Sequence, residues 1–290
     1  MVAITATESG FGAHVEGVDI ASVPDAVTHA LLLAALDEHR LLIFRNGPAI
    51  ATDAQVVEFC SSFGPLRPSL ADKSRMIDHP EINLVANRNI GSVQGSGGRD
   101  ALHYHSDLHH EPPLIEFIFL DALQVPAHGG ATVWVDLCAA YDALSAEAQA
   151  RIDHLVVRYG LRKDLDFDTY FKASATVLAT RRQSTQVRLV QTNGRTGRKS
   201  VWPNAGPQSN HHAQIVGMDP DESRALLTEL FEHCTDERFR YKHEWQLGDA
   251  CLWHNIQTLH GRESFPEDEA RMMRHLNILG ITDPNQLSEN

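Results

Sequence analysis

The chain has 290 residues, of which 42% are hydrophobic and 22% charged, a composition typical of globular proteins with one large domain or two small ones. Its 25 basic and 38 acidic residues give a formal net charge of −13, which argues against nucleic-acid-binding and anionic-membrane-binding surfaces, because both need a basic patch. We therefore expect no nucleic-acid partner and no membrane association.

The four cysteines, Cys60, Cys138, Cys234 and Cys251, are scattered without the CxxC spacing of zinc or redox sites. They indicate reduced thiols, so we expect a cytoplasmic protein. The N-terminus has no basic segment followed by an apolar run, and no apolar run is long enough to span a membrane. Because the sequence shows no repeat and no linker, we expect residues 1–290 to form a single domain.

The first third of the chain predicts two helices and several strands, beginning with short strands in 11–20. Apolar residues recur at helical spacing in 24–40, and the continuous apolar run 41–44 is typical of a buried strand. Thr52 and Gln55 have the spacing of a capping box, which predicts the start of a second helix. Residues 82–86 predict another strand.

Segment 89–100 is rich in Gly and Ser and predicts a loop, either a lid beside a functional site or an ordinary solvated loop. Further along the chain, Asp219, Pro220 and Glu222 predict a capped helix start. Strands are predicted at 115–125, 132–135, 239–245, 250–253 and 271–279, with a hairpin around 192–194. Strands thus dominate and helices lie between them, which favours a mainly β fold with flanking helices.

His105 and Asp107 form a His-x-Asp pair. In an extended segment, residues two apart point to the same side, so one imidazole and one carboxylate can reach the same metal ion. A third ligand has to come from elsewhere, and His260 is the best candidate among 17 histidines. Two histidines and a carboxylate on one face of an ion, with the other face open, is the arrangement of non-haem Fe(II) oxygenases.

Two features accompany these predicted ligands. A Gly-Gly-Ala-Thr turn ends at Thr132, and Arg271 follows His260 by 11 residues. The ordered set of His-x-Asp, Gly-Gly-x-Thr, distal His and Arg resembles the taurine dioxygenase/2,4-dichlorophenoxyacetate dioxygenase (TauD/TfdA) family of Fe(II)- and 2-oxoglutarate-dependent oxygenases. The resemblance extends from residues 10–13 to 278–280. It implies a double-stranded β-helix, a jelly-roll core with flanking helices.

The resemblance also implies a reaction. Fe(II), 2-oxoglutarate and O2 are the expected cofactor and co-substrates, and succinate and CO2 the expected co-products. The enzyme would hydroxylate an unactivated C–H bond of a small organic acid, for example an aryloxy carboxylate or an amino-acid-like compound. Arg271 and Thr132 would bind the distal carboxylate of 2-oxoglutarate, for which a guanidinium fork is suited. We also expect a homo-oligomer, a dimer or a tetramer.

The sequence departs from the sulfonate-oxidising relatives where those bind substrate. Their Arg four positions after the 2-oxoglutarate Arg is His275 in this chain, and their Asn four positions before the first ligand is Ala101. On a strand, His275 shares a face with Arg271, whereas Arg274 points the other way. The family also has Asp where this chain has His254, which is expected to alter hydrogen bonding around the ligands.

We therefore expect a substrate pocket different from that for taurine. Its predicted substrate-binding residues are His275, Tyr104 and His103, and further candidates are Arg67, His109 and His110.

Three alternatives remain open. The first is a taurine or alkylsulfonate dioxygenase. The second is a zinc hydrolase that uses the same three ligands and water. Arg271 and Thr132 argue against it, because a hydrolase needs no anchor for a second carboxylate. The third is a jelly-roll protein that binds ligands without catalysis, against which the three intact ligands argue.

Overall fold

The computed structural model describes residues 1–45, 47, 49–109, 113–161, 185–204, 206 and 211–280. The helices in these ranges are α1 (Ala26–His39), α2 (Asp53–Ser61), α3 (Leu137–Asp142), α4 (Ala146–Ile152) and α5 (Pro220–Cys234). None of the helices described is long and apolar enough to cross a membrane.

The described residues contain eighteen strands, nine in each half of the chain. The first nine are β1 (Ala3–Ala6), β2 (Ala13–Glu16), β3 (Leu41–Arg45), β4 (Leu66–Arg67), β5 (Ile82–Ala86), β6 (Ser96–Gly97), β7 (Leu102–His105), β8 (Ile115–Gln124) and β9 (Thr132–Asp136). The others are β10 (Val156–Leu161), β11 (Thr185–Arg188), β12 (Val190–Thr192), β13 (Lys199–Val201), β14 (His211–Ile215), β15 (Arg240–His243), β16 (Asp249–His254), β17 (Thr258–Arg262) and β18 (Met272–Leu279).

Two sheets enclose the central core. The larger sheet has the strand order β1-β2-β3-β16-β8-β18-β5-β6, with β4 paired to β18, and the smaller has the order β15-β9-β17-β7. Apolar side chains from both sheets form one buried cluster, which includes Ile118, Trp253 and Met273 from the larger sheet and Trp134 from the smaller. This sandwich confirms the prediction of a jelly-roll core.

Helices cover the outer faces of the two sheets, as predicted. Leu32 of α1 and Phe59 of α2 pack with Phe119 on the outer face of the larger sheet. Leu226 of α5 packs in another cluster with Leu259 on the outer face of the smaller sheet. Strand residues therefore alternate between a helix-covered outer face and an inner face that borders the space between the sheets.

The helix starts predicted from capping signals are confirmed. Thr52 Oγ1 accepts a hydrogen bond from the Gln55 amide, and Gln55 Oε1 accepts one from the Thr52 amide, which completes the capping box of α2. Asp219 caps α5 by accepting from two amides of the first turn. These starts depend on contacts within a few residues, which is why sequence alone predicts them.

Strand β17, which carries His260, is not predicted from the sequence. It has only five residues, two of which are Gly and Thr, and it follows a 3₁₀ turn at Asn255–Gln257. It forms because it pairs with both β9 and β7. The predicted loop 89–100 contains the short strand β6, which pairs in parallel with β5 and brings the segment beside the central cavity.

Candidate metal and co-substrate site

His105 and His260 lie on adjacent strands of the smaller sheet. Strands β7 and β17 are antiparallel, and their register places His105 directly opposite His260. Residues directly opposite each other in an antiparallel pair project to the same face. The two imidazole centroids are therefore only 4.3 Å apart, on the side that faces the central core.

Asp107 lies beyond the end of β7, in a turn in which Leu108 has a left-handed backbone with φ of 48°. The prediction of an extended segment through Asp107 is therefore wrong. Asn255 holds the turn instead, because its Oδ1 accepts from the Asp107 amide at 3.0 Å and its Nδ2 donates to the Asp107 carbonyl at 2.9 Å. A clamp from a distant segment, and not strand periodicity, fixes the backbone that carries this carboxylate.

The three predicted ligands are brought together. Asp107 Oδ1 is 3.3 Å from His105 Nε2 and 3.9 Å from His260 Nε2. One ligand atom from each residue lies within 4.8 Å of the others. Ligand atoms on adjacent corners of an octahedron with bonds of about 2.1 Å are about 3 Å apart. The three side chains therefore fit a single transition-metal ion after small shifts, with one carboxylate and two imidazoles as donors.

Hydrogen bonds and burial set the protonation of these side chains. His105 Nδ1 donates to the His103 carbonyl at 2.7 Å, which leaves Nε2 as the donor atom for a metal. Burial favours a neutral Asp107, but His260, His105 and His275 hold the pKa of its carboxyl well below the usual range. Burial and the neighbouring His105 lower the pKa of His260 to about 3. An ionised carboxylate and a neutral imidazole are the forms that bind metal ions.

Arg271 enters the space between the sheets just before β18. Only 2% of the residue is exposed, and its Nε donates to the Gly130 carbonyl at 3.2 Å. Gly130 has φ of 70°, and a Cβ there would lie 3.3 Å from Arg271 Cδ, so the second glycine of the Gly-Gly turn permits this close approach. Burial and the charge of Arg262 lower the pKa of Arg271 to about 9. Within the described ranges, no carboxylate forms an ion pair with this guanidinium.

Thr132 begins β9 and is buried beside Arg271 and Trp245. Trp245 Nε1 donates to Thr132 Oγ1 at 2.9 Å, and the Arg271 guanidinium carbon is 6.0 Å from the centroid of the Trp245 ring. With the oxygen already accepting one hydrogen bond, the Thr132 hydroxyl hydrogen can be directed to a ligand. Trp245 is a site residue that the sequence analysis misses, because no motif marks it.

One cavity of about 830 Å³ joins these groups. Its wall includes the predicted metal ligands, the 2-oxoglutarate residues and all three predicted substrate residues, namely His105, Asp107, His260, Thr132, Arg271, His103, Tyr104 and His275. Residues 95–100 of the predicted loop also border it. Cavities of 300–1,000 Å³ are typical of small-molecule sites. The volume is sufficient for 2-oxoglutarate and a second small acid.

The predicted substrate residues differ in their surroundings. His275 Nε2 lies 2.8 Å from Asp107 Oδ2, so this imidazole contacts a predicted metal ligand. His103 is exposed where it borders the cavity. Tyr104 also borders the cavity, but its ring lies 5.5 Å from the guanidinium carbon of Arg240 and packs against the cluster outside the smaller sheet. Successive residues of a strand point to opposite faces, so Tyr104 packs on the outer face while its neighbours His103 and His105 point to the inner one.

The further pocket candidates also separate. His109 is buried, with Nδ1 3.1 Å from the Ser106 carbonyl and its ring edge-on to Tyr159, and it borders the cavity. Arg67 lies on β4 and is not among the residues that line the cavity. His110 lies outside the described residues.

His254, the departure from the family pattern, is buried at the end of β16. Burial and the charge of Arg195 lower its pKa to about 3. Its Nε2 lies 3.4 Å from Asn193 Nδ2 and 3.9 Å from Glu116 Oε1. It therefore belongs to a polar network near the surface residue Arg195, and among the described residues it forms no hydrogen bond or ion pair with the three predicted ligands.

Asn204 is a second residue that the sequence analysis misses. Its Oδ1 accepts from the Ser106 amide at 3.2 Å, and its Nδ2 donates to the Ser106 carbonyl at 3.1 Å. Asn204 and Asn255 thus hold the backbone N–H and C=O groups of the two residues that follow His105. An isolated Asn distant in sequence from the His-x-Asp pair gives no signal of such a contact.

Comparisons with known proteins agree with this geometry. A family model described as "Taurine catabolism dioxygenase TauD, TfdA family" matches residues 3–276. The chain is 30% identical over 284 residues to an alpha-ketoglutarate-dependent 2,4-dichlorophenoxyacetate dioxygenase from Cupriavidus pinatubonensis, covering 93% of this chain and 94% of that protein. It is 29% identical over 276 residues to a pentalenolactone F synthase from Streptomyces arenae, covering 91% of each. The crystal structure of AAD-2 in complex with Mn(II) and N-oxalylglycine is similar, with a TM-score of 0.78, 27% identity and coverage of 98% of this chain and 99% of that one.

Proposed function

Because the chain belongs to the TauD/TfdA family of dioxygenases, we propose that His105, Asp107 and His260 bind Fe(II) and that Arg271 and Thr132 bind the distal carboxylate of 2-oxoglutarate. The chain is a 2-oxoglutarate-dependent non-haem iron dioxygenase, an oxidoreductase that uses O2. The observation that carries the residue assignment is a buried guanidinium without an ion-pair partner among the described residues, in the same cavity as the three ligand side chains.

The chemistry of the donor set supports this proposal. Uncompensated burial of a cation is unfavourable, so a buried Arg with free donors is expected to meet an anionic ligand. N-oxalylglycine, present with Mn(II) in the AAD-2 structure, has two carboxylates like 2-oxoglutarate. A zinc hydrolase would need the three metal ligands but not Arg271 or Thr132, whose positions in one cavity with those ligands therefore favour the oxygenase.

We propose that the organic substrate is hydroxylated at an unactivated C–H bond. Bound iron, 2-oxoglutarate and O2 supply the oxidising chemistry, with succinate and CO2 as co-products. The chain itself orients the groups and encloses the reaction: Arg271 and Thr132 fix one end of 2-oxoglutarate, and the walls of the two sheets limit access of water. A metal held by the three predicted ligands would border the cavity, because all three side chains line it.

For the substrate we propose a small organic acid with a carboxylate, of the aryloxy or amino-acid-like kind. One relative carries the name of 2,4-dichlorophenoxyacetate, an aryloxy carboxylate, which supports this choice. Where the sulfonate-oxidising relatives have a second Arg, this chain has His275, which is shorter, lacks the bidentate guanidinium fork and already contacts Asp107. His103 and Tyr104 are proposed to border the substrate. Taurine should therefore be a poor substrate.

Succinate formation tests the proposal. The purified protein is screened with Fe(II), 2-oxoglutarate and a panel of aryloxy acids, amino acids and taurine, and succinate released in step with substrate loss is measured. Asp107→Ala and His105→Ala should abolish both metal binding and turnover while the melting temperature shows that the fold persists. If either variant produced succinate at the wild-type rate, the assignment of the metal ligands would be wrong.

Location and assembly are also proposed. We propose a cytoplasmic protein, because all four cysteines are buried and unpaired and burial raises the pKa of each thiol, as suits a reducing compartment.

We propose that 1–290 is one domain and that it forms a dimer or tetramer. The exposed apolar side chains of Val27 and Leu31 on α1, at 72% and 48% exposure, support self-association. Light scattering would give the assembly mass relative to the 32.2 kDa chain.

A further inference from the structure

His275 links the two sheets at the metal site. It lies on β18 of the larger sheet, where its backbone partners are Asn83 of β5 and Leu120 of β8. Its Nε2 reaches across to Asp107 Oδ2 at 2.8 Å, whereas His105 and His260, from the smaller sheet, face the other oxygen, Oδ1. The two carboxylate oxygens are thus divided between two different groups of imidazoles.

The direction of this hydrogen bond follows from the chemistry of the partners. An ionised carboxylate has no hydrogen to donate, so the imidazole must donate through Nε2–H. Within the described residues, His275 Nδ1 is buried and makes no hydrogen bond. The hydrogen bond to Asp107 is therefore the polar contact that determines how this ring is oriented.

Two contacts of different kinds then fix Asp107. The amide and carbonyl of Asn255 hold its backbone at 3.0 and 2.9 Å, which positions the turn. The Asn255 clamp does not touch the carboxylate, so, among the described residues, His275 is the group that restrains the Asp107 side chain on its Oδ2 side. Groups that orient a ligand in this way typically contribute 10- to 100-fold in metal affinity.

We propose that His275 is a positioning residue, which donates to Asp107 Oδ2 and thereby presents Oδ1 to the metal. This inference rests on the proposed function, because it requires Asp107 to be a metal ligand. With Oδ2 engaged by His275, Asp107 would offer a metal a single oxygen, Oδ1. The role also explains why a short imidazole occupies a position where sulfonate-oxidising relatives have an Arg for the substrate anion.

Titration of the metal-free protein with Mn(II) tests this role without turnover. The electron paramagnetic resonance signal of free Mn(II) gives the dissociation constant for the wild type and for His275→Phe, which retains a ring but lacks the donor. His275→Gln retains an N–H at a similar reach. His128→Leu is the control for the loss of a histidine, because His128 is exposed and is not among the residues that line the cavity.

His275→Phe should weaken Mn(II) binding about 10- to 100-fold, and His275→Gln should restore it to within a few-fold of the wild type. His128→Leu should leave Mn(II) affinity unchanged. Wild-type affinity in His275→Phe would overturn the proposal, and so would equal losses in the Phe and Gln variants, since only packing would then matter. If His275→Phe does not fold, as judged by its melting curve, His275→Ala replaces it in the same comparison.

Asp107→Ala, titrated in parallel, separates this inference from the proposed function. If Asp107→Ala loses Mn(II) while His275→Phe keeps it, the metal site stands and the positioning role is wrong. In that case an increased KM for the organic acid in His275→Phe would assign the imidazole to the substrate. If Asp107→Ala itself binds Mn(II) like the wild type, the proposed metal site is wrong.

Discussion

Arg271 and Arg274 are three residues apart, and each is only 2% exposed, but the two guanidiniums have opposite surroundings. Arg274 lies on the outer face of the larger sheet, where its Nε and Nη2 donate to Asp121 at 3.1 and 2.5 Å and its Nη1 donates to Asp53 at 2.7 Å. Arg271 lies on the inner face, where Nε donates to the Gly130 carbonyl. Burial opposes the charged form of both, but the two carboxylates raise the pKa of Arg274, whereas Arg262 lowers that of Arg271 further.

The difference distinguishes an Arg that stabilises the fold from an Arg that can bind a ligand. A buried Arg whose donors are matched by carboxylates of its own chain is part of the fold, and a ligand gains nothing by approaching it. A buried Arg without such a partner is held at the expense of stability and is available to an external carboxylate. The inward and outward positions at the start of β18 therefore serve different purposes, and substitution of each Arg by the similarly long Met tests this directly.

The largest effect is expected for Arg274→Met. It leaves the buried Asp121 carboxylate without its principal partner, and breaking a buried pair on one side typically costs about 3–5 kcal/mol. The free energy of unfolding, measured with denaturant, should fall by this amount. The affinity of the surviving folded protein for 2-oxoglutarate should change little. A loss below about 1 kcal/mol would contradict the structural role.

Arg271→Met should have the opposite pattern. Loss of one partner of a buried, charge-assisted pair costs about 2–5 kcal/mol in binding, so the dissociation constant for 2-oxoglutarate should rise by tens-fold or more. The free energy of unfolding of the ligand-free protein should stay the same or increase, because a buried charge is removed. Calorimetry on the Mn(II)-loaded protein measures the first quantity. Unchanged 2-oxoglutarate affinity would move this role to Arg274 and reverse the comparison.

Thr132→Val sharpens the binding side of the comparison. It removes a hydroxyl at nearly constant shape and leaves Trp245 Nε1 without its acceptor. A neutral hydrogen bond contributes about 0.5–1.5 kcal/mol, so 2-oxoglutarate should bind roughly two- to ten-fold more weakly. The same calorimetric titration checks this. An effect as large as that of Arg271→Met would show that the hydroxyl, and not the charge, dominates carboxylate recognition.

Asp53→Asn should have the smallest effect. Asp53 also accepts from Arg274, but its side chain is 30% exposed, compared with 3% for Asp121. Solvent screens such a pair, so the free energy of unfolding should fall by no more than about 1 kcal/mol. Denaturation of Asp53→Asn beside Asp121→Asn would show whether burial sets the strength of each contact. Equal losses would mean that it does not.

Several parts of the site follow from local sequence patterns. Alternation along a strand places Arg271 and His275 toward the inner face and Arg274 toward the outer one, and the structure has them so. The composition of the Gly-Gly segment before Thr132 predicts a turn, and the positive φ of Gly130 and its close approach to Arg271 disfavour a side chain there. Such features depend on backbone geometry within a few residues.

The order of His-x-Asp, Gly-Gly-x-Thr, His and Arg by itself determined the family and the jelly-roll class, and capping signals determined the starts of α2 and α5. Only the tertiary structure decided that Asp107 sits in a turn clamped by Asn255, that β17 places His260 opposite His105, and that His275 contacts Asp107 Oδ2. Local patterns fix which way a side chain points relative to its own strand. Which distant group it meets depends on strand pairing and sheet packing, and these are set by the burial of the whole core.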